Sequence, residues 1–378
     1  MNDYQKVIRG RESLKRLPEL CQKLGIQRPL IVGMEPLTGT LMKKNPWLLS
    51  APVFTGFHSN PDLKDSEEGA GLYIREHCDG LISVGGGSSI DTAKAIKARL
   101  NAKDEDAVIS SRMDGSVSCP HIAVPGTAGT GSEATQIAVA YVDGSKVSLN
   151  HSSLRPDGVI LDASLLDSLP LYHKKSCALD ALSQGIESYW SCGSNEDSKV
   201  HAYLAIIGVL DNLKAYLEGD PHAAEEMLDA SYQSGKAIQI TRTTAAHAMS
   251  YMLTKKMGLA HGHACFLTLP VLWESMQEKD EMQDILKDLS TKMRLGDIRM
   301  GPKLLKGILY DLEMQIPPVP DEAVLEELAD SVNTERLNNH PVKMTKEEIK
   351  LIYRRSMIPL GDNEKQACLD IWRYYGRE

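Results

Sequence analysis

The sequence predicts an α/β N-terminal half built on a parallel sheet, followed by an all-helical C-terminal half. Three observations lead there. Short apolar runs alternate with amphipathic stretches through the first half, runs of that kind stop at about Leu169, and helical spacing continues from there to the end. The chain has 378 residues, of which 42% are apolar and 25% charged. That balance is globular, and the length suits two domains of about 100–200 residues each.

The strands come first. Pro29-Leu30-Ile31-Val32-Gly33, Leu81-Ile82-Ser83-Val84 and His121-Ile122-Ala123-Val124-Pro125 are short apolar runs. Strands apolar along their whole length are covered on both faces, which is the habit of parallel sheets. Residues 65–77 and 89–100 between them have helical spacing. Beyond Leu169, residues 178–190, 200–217, 223–240 and 265–276 read as helices, and more follow from Asp284. The join near Leu165-Leu166-Asp167-Ser168-Leu169-Pro170 divides the chain into residues 1–168 and 169–378. There is no internal repeat or low-complexity tract.

Charge and composition exclude several classes. The net charge of −9 disfavours binding to a phosphate backbone, so no nucleic-acid partner is expected. No apolar run approaches the roughly 20 residues needed to span a bilayer, so no membrane partner is expected either. The stretch from Met1 to Lys6 does not resemble a signal peptide, and a cytoplasmic location is expected. Seven scattered cysteines with no C-x-x-C pair point to free, buried thiols rather than disulfides or zinc knuckles.

Two loops carry chemistry. Val84-Gly85-Gly86-Gly87-Ser88-Ser89 takes an apolar strand through three glycines into a helix start. Glycines admit a phosphate close to the backbone, and the helix terminus offers N–H groups and a dipole to its charge. An ordinary strand-to-helix turn would use the same residues. The second loop, Pro125-Gly126-Thr127-Ala128-Gly129-Thr130-Gly131-Ser132-Glu133, also follows a strand and opens at the same sheet edge. Two such loops suit a dinucleotide better than either alone.

The helical half holds metal-ligand chemistry. Asp180 and Gln184 share a helix face at i and i+4. His247 follows, and then His261 in Ala260-His261-Gly262-His263. One carboxylate and two imidazoles suit a divalent transition metal, although hydrogen-bonded structural histidines would show the same types.

Together these segments resemble the iron-containing (group III) alcohol dehydrogenases, over most of the chain. Gly-Gly-Gly-Ser with the following Asp-x-x-Lys, and Pro-x-Thr-Ala-Gly-Thr-Gly-Ser-Glu, carry the resemblance. It implies a Rossmann-like dinucleotide-binding α/β domain, an all-α C-terminal domain as in the dehydroquinate synthase-like fold, and a metal and substrate between them. It assigns NAD or NADP to Gly86, Gly87, Ser88, Asp91, Thr127, Thr130 and Lys146, and a divalent Fe²⁺ or Zn²⁺ to Asp180, His247 and His261. The family's further histidine, four residues after the aspartate, is here Gln184, so the site is either completed by a glutamine carbonyl, three-coordinate from protein, or degenerate. A second family histidine is replaced by Tyr251, which inherits a proton-relay position, with His263 as the alternative relay. The run from Thr241 to Pro270 is closest to hydroxyethylphosphonate dehydrogenases, which reduce phosphonoacetaldehyde. Arg242 and Lys255 are then the cations for a phosphonate. Where the family often has an acid to meet the adenosine ribose, this sequence has Met34, with Glu35 one step on, which leaves NAD or NADP open. The resemblance therefore implies a metal-assisted aldehyde reductase. A general short-chain alcohol or polyol dehydrogenase, a dehydroquinate synthase-like lyase and a metal-free relative are the alternatives. A homodimer is compatible with these features.

Overall fold

A computed structural model describes residues 5–58, 61–143 and 145–375. Eight strands are present among them: β1 (Lys6–Arg9), β2 (Pro29–Gly33), β3 (Val53–Phe54), β4 (Gly80–Gly85), β5 (His121–Pro125), β6 (Ile137–Val142), β7 (Ser145–Asn150) and β8 (Gly158–Leu161). Six form a parallel sheet in the order β1-β8-β5-β4-β2-β3. Helices α1 (Leu17–Leu24), α2 (Leu37–Lys44), α3 (Leu63–Arg75), α4 (Gly87–Leu100) and α5 (Glu105–Ile109) belong to this half.

The strands β2, β4 and β5 are buried along their whole length, and successive residues go to opposite layers. Ile31, Ile82, Val84, Ile122 and Val124 pack with Leu14, Leu17, Leu20 and Leu41 on one face. Leu30, Val32 and Leu81 pack with Tyr73, Ala93 and Ile96 on the other. This alternation is the reason for continuous apolar runs in a doubly covered sheet. The chain steps from β2 out to β3 and then back past β2 to β4, so the sheet changes winding direction between β2 and β4. In such sheets the carboxyl ends near the reversal form the ligand crevice.

Three sheet strands and the two hairpin strands are not marked by a strong apolar pattern. β1 and β8 have only four residues each, and β3 has two. The antiparallel hairpin β6–β7 lies outside the main sheet, pairing Ile137 with Asn150 and Val142 with Ser145. Its inward residues are the small Ala138 and Ala140, with Leu149 opposite. They pack on Leu63, Ala95 and Ala98 of α3 and α4, which gives too little bulk for a strand signal.

The second half is helical: α6 (Leu171–Trp190), α7 (Glu196–Leu217), α8 (Pro221–Thr241), α9 (Ala245–Met257) and α10 (His261–Met276), followed by shorter helices from Gln283–Lys292 to Asp362–Tyr374. Several start earlier than their apolar spacing indicates. The first turns of α7 and α8 are specified by caps instead: the Asn195 side chain accepts from Ser198 N, and Asp220 accepts from Ala223 N with Pro221 in the first turn. The halves share one core. Ala128, Val159, Leu161 and Leu166 belong to the same buried cluster as Leu179, Leu182, Ile206 and Phe266. No helix among the described residues is long and apolar enough to cross a membrane. All seven cysteines are free, and four of them, Cys21, Cys119, Cys265 and Cys368, are buried.

Helices α6 and α10 meet closely at Gly262. A Cβ there would lie 2.0 Å from the Ser176 carbonyl oxygen and 2.6 Å from Asp180 Cβ. Both obstacles are backbone or a rigid first carbon, so the helices would have to separate. Gly262→Ala therefore lowers stability by about 1–3 kcal/mol, as other overpacked sites do. Gly71→Ala, in exposed helix with nothing within 4 Å, raises it by up to about 1 kcal/mol. Urea midpoints of the two variants check this, and a Gly262→Ala protein as stable as wild type would contradict the tight junction.

Candidate active site

The carboxyl edge of the sheet is organised by a buried lysine. Lys94, on α4, donates to the Ser132 carbonyl at 2.7 Å, Ser132 Oγ at 2.8 Å, Thr135 Oγ1 at 3.1 Å and the Ile137 carbonyl at 2.7 Å. Burial pushes its pKa down to about 8. Asp91, one turn earlier, lies 3.7 Å from that ammonium and accepts from Ser132 Oγ at 2.5 Å and Val139 N at 3.0 Å. The Asp-x-x-Lys pair thus ties the glycine turn to the second loop and to β6. The Asp91 carboxylate is committed to this brace, although the residue lines the cavity described next.

The glycine turn and the second loop touch. A Cβ on Gly87 would lie 3.0 Å from Thr130 Cγ2. Gly86, at the N-cap of α4, supplies no side-chain cap to the helix start. Gly87, Ser88 and Thr130 line a cavity of ≈ 1090 Å³. Gly86 and Thr127 stand against each other behind that wall, at 3.4 Å from an added Cβ. Glu35 does not present a free acid at the β2 end. It accepts from Thr38 Oγ1 at 2.9 Å and Gly39 N at 3.3 Å, and so caps α2.

The same cavity reaches Asp180, His247 and His261. His247 Nε2 is 3.2 Å from Asp180 Oδ1, and His261 Nε2 is 3.9 Å from the same oxygen. Cys265 joins them: one ligand atom from each of the four residues falls within 4.8 Å of every other. His247 is oriented from behind by the buried Glu187, whose carboxylate receives Nδ1 in a short hydrogen bond, together with Thr244 Oγ1 at 2.7 Å and Ala246 N at 2.8 Å. That leaves Nε2 facing Asp180. Ser250 Oγ lies 3.4 Å from His261 Nδ1 and leaves Nε2 of that ring facing inward too. Burial pushes the Asp180 carboxyl up, but His261, His247 and the hydrogen bonds from His247 and Gln184 together outweigh it and hold its pKa below the usual value.

Gln184 lies in the cavity wall beside Asp180, whereas His263 is placed away from its sequence assignment. The Gln184 amide donates to the Thr130 carbonyl at 3.2 Å, and its oxygen accepts from Ser234 Oγ at 2.7 Å. The side chain lines the cavity but is held as a bridge between α6, α8 and the Thr130 loop. His263 does not reach the cavity. Two residues along a helix turn a side chain by about 200°, so it leaves the His261 face. Its Nδ1 receives the Tyr172 hydroxyl at 3.1 Å, and burial lowers its pKa to about 4. Tyr251 does line the cavity, stacked on Tyr141 at 6.1 Å.

Four cations border the cavity: Lys146, Arg242, Lys255 and Arg336. Arg242 closes α8 with φ of 63°. Lys146, on the β6–β7 hairpin, has its pKa lowered to about 8 by burial and then by Arg336. Its backbone pairs with Tyr141 in the hairpin, and among the described residues its ammonium has no hydrogen bond or ion pair. Sequence reasoning missed Arg336, which comes from a helix of only four residues, Thr334–Leu337. It also missed Cys265 and Glu187, although Cys265 lies four residues after His261 and Glu187 seven after Asp180, both helical spacings.

A family model for iron-containing alcohol dehydrogenases matches residues 5–163, and one for the C-terminal region of Fe-containing alcohol dehydrogenases matches residues 175–357. The chain belongs to the iron-containing alcohol dehydrogenase family. Members of this family are NAD-dependent oxidoreductases of alcohols and aldehydes. Phosphonoacetaldehyde reductase of Streptomyces viridochromogenes is 32% identical over 272 residues, 68% of this chain and 66% of that protein. Probable alcohol dehydrogenase EutG of Escherichia coli is 35% identical over 57% of this chain and 56% of its own length. These matches therefore span less than two thirds of each relative. The crystal structure of sulfoacetaldehyde reductase from Bifidobacterium kashiwanohense in complex with NAD⁺ superposes with a TM-score of 0.84 at 25% identity, over 93% of this chain and 97% of that one.

The residues present fit both groups that the family uses. The side-chain-free Gly86-Gly87 entrance to α4 suits a pyrophosphate, because backbone can approach it and the helix dipole favours its charge. The buried Asp180, flanked by inward-facing imidazole nitrogens, suits a divalent metal. The Glu187 carboxylate behind His247 is the kind of outer partner that fixes a ligand's tautomer. Glu187→Gln puts an amide donor or a weaker acceptor against Nδ1. It should weaken divalent-metal affinity about 10- to 100-fold, with unchanged far-ultraviolet circular dichroism. Competition with a fluorescent chelator measures it, and equal affinities would remove Glu187 from the site.

Proposed function

We propose that the protein is a metal-assisted, NAD(P)-dependent aldehyde reductase whose substrate is a small aldehyde with an anionic head group, phosphonoacetaldehyde being the specific expectation and 2-hydroxyethylphosphonate its product. One observation carries this reading: Lys146, Arg242 and Arg336 border the same cavity as Asp180, His247 and His261. A dianion entering a cleft loses water, and an unpaired buried charge is costly, so the walls must supply cations. Two relatives support the choice of head group. Phosphonoacetaldehyde and sulfoacetaldehyde, named for these relatives, are both acetaldehydes that carry a tetrahedral oxyanion.

The division of labour follows the cavity. Gly87 and Ser88 at the start of α4, with Thr130, hold the dinucleotide at the sheet edge. A reduced nicotinamide dinucleotide held there would supply hydride chemistry. Asp180, His247 and His261 would hold a divalent metal, which supplies Lewis-acid polarisation of the carbonyl oxygen. Tyr251, on the cavity wall one turn after His247, passes a proton to the oxygen as the alkoxide develops. Arg242, with its planar fork, holds the head-group oxygens together with Lys146, which the family resemblance had assigned to the dinucleotide instead. Lys255 is exposed at the rim, where it attracts an anion without binding it tightly.

Arg242→Ala tests the head-group assignment. For phosphonoacetaldehyde it should cost about 2–5 kcal/mol in kcat/KM, the usual result of removing one partner of a buried charge pair. For propanal, similar in length and neutral, kcat/KM should change by less than about threefold, within the usual effect of a surface substitution. Wild-type preference for propanal, or equal losses on both substrates, would refute the anionic substrate and leave a reductase of neutral aldehydes.

A further inference from the structure

We propose that Cys265 is a metal ligand, so that the site is built from Asp180, His247, His261 and the Cys265 thiolate and is suited to zinc. This rests on the reading of the cluster as a metal site and names its fourth donor. The family resemblance put that donor on α6, at Gln184. Here it lies on α10, one helical turn after His261.

Geometry is the first support. Zinc bonds to nitrogen and oxygen are about 2.0–2.2 Å and to sulfur about 2.3 Å, so the edges of a tetrahedral donor set run to about 3.3–3.8 Å. His247 Nε2 to Asp180 Oδ1 is 3.2 Å, His261 Nε2 to Asp180 Oδ1 is 3.9 Å, and Cys265 Sγ is 3.7 Å from His261 Nε2 and 3.9 Å from its Nδ1, so a small turn of the His261 ring would aim Nε2 at an ion beside the sulfur. All four donors fit within 4.8 Å of one another. A sulfur one turn beyond a histidine could be an ordinary buried cysteine. Ordinary buried cysteines face apolar side chains, whereas this one faces two imidazoles and a carboxylate.

The second support is the state of Gln184. Its amide N–H group donates to the Thr130 carbonyl and is hydrogen-bonded to Asp180 as well, and its oxygen accepts from Ser234, so it meets the cluster with a donor and not with a lone pair. A fourth donor from α6 would have to turn the Gln184 oxygen from Ser234 toward the cluster and would offer only a neutral amide oxygen. The thiol is already inside the cluster. Its proton goes to solvent as the sulfur–metal bond forms, with no change in oxidation state. A thiolate is softer than the imidazole it replaces, which favours zinc over harder ions.

X-ray absorption at the zinc edge decides the matter on the full chain, stripped of metal and reloaded with one equivalent of zinc. The expected spectrum has one sulfur at about 2.3 Å and nitrogen or oxygen neighbours at about 2.0–2.2 Å. Cys177→Ser should keep the sulfur, because Cys177 is outside the donor cluster. Cys265→Ser should lose it, and its zinc affinity should fall by more than the roughly 10- to 100-fold cost of losing an outer partner. Zinc bound at one per chain with only nitrogen and oxygen neighbours overturns the proposal while the metal-assisted reading stands. Failure of the wild type to take up zinc or another divalent ion overturns both. The wild-type spectrum decides the ligand even if the serine variant does not fold.

Discussion

A carboxylate taken out of water must be met by positive charge, and Asp180 is where this chain meets that demand. It sits in the middle of α6, buried, and α9 and α10 each bring an imidazole to it. Without them, the desolvated charge would cost several kcal/mol. The packing of the helical half follows from this point. Gly262 lets α10 come against Ser176 and Asp180, and Glu187, two turns along α6, holds the start of α9 through Thr244 and Ala246. The polar cluster therefore helps to set the register of three helices whose other faces are held by apolar packing and by polar ties such as Tyr189 to Asp288, Tyr353 to the Met249 carbonyl and Lys306 to Glu274.

The α/β half has a corresponding anchor in Lys94. Its four hydrogen bonds go to the segment from Ser132 to Ile137, and with Asp91 they pull the second glycine-rich loop and the β6–β7 hairpin onto α4. The hairpin carries Lys146 to the cavity, and the loop carries Thr130 to Gln184. Dinucleotide-type loops and metal-type side chains thus face one space although they come from different halves of the chain. The core shared by Val159, Leu161 and the helical residues keeps that arrangement fixed.

Most of this was legible in the sequence where the physical signal was local. The strands at Leu30, Ile82 and Ile122 are apolar on both faces and so stand out, and α8 and α10 keep their spacing over many turns. β1, β3 and β8 are too short to show a period, and Ala138 and Ala140 are too small to mark β6. In the site, Asp180, His247 and His261 come together as the family resemblance implied. For Gln184 the sequence left three readings open, because it does not show that Thr130, Ser234 and Asp180 all meet its amide. His263 was misjudged because the i to i+2 rotation about a helix was not applied to it. The same rule, used at i+4, would have found Cys265. Arg336 had no signal, since a four-residue helix far along the chain gives no hint of the cavity it borders.

Whether the Asp180 cluster works with the dinucleotide edge as one active site is tested most directly by turnover of metal-free protein. The protein is stripped with a chelator, shown to keep its helical circular dichroism, and mixed with reduced nicotinamide cofactor and phosphonoacetaldehyde while cofactor absorbance is followed. The account predicts no measurable oxidation of the cofactor until one equivalent of divalent metal is restored, and then full activity. Undiminished turnover by the stripped protein would contradict it.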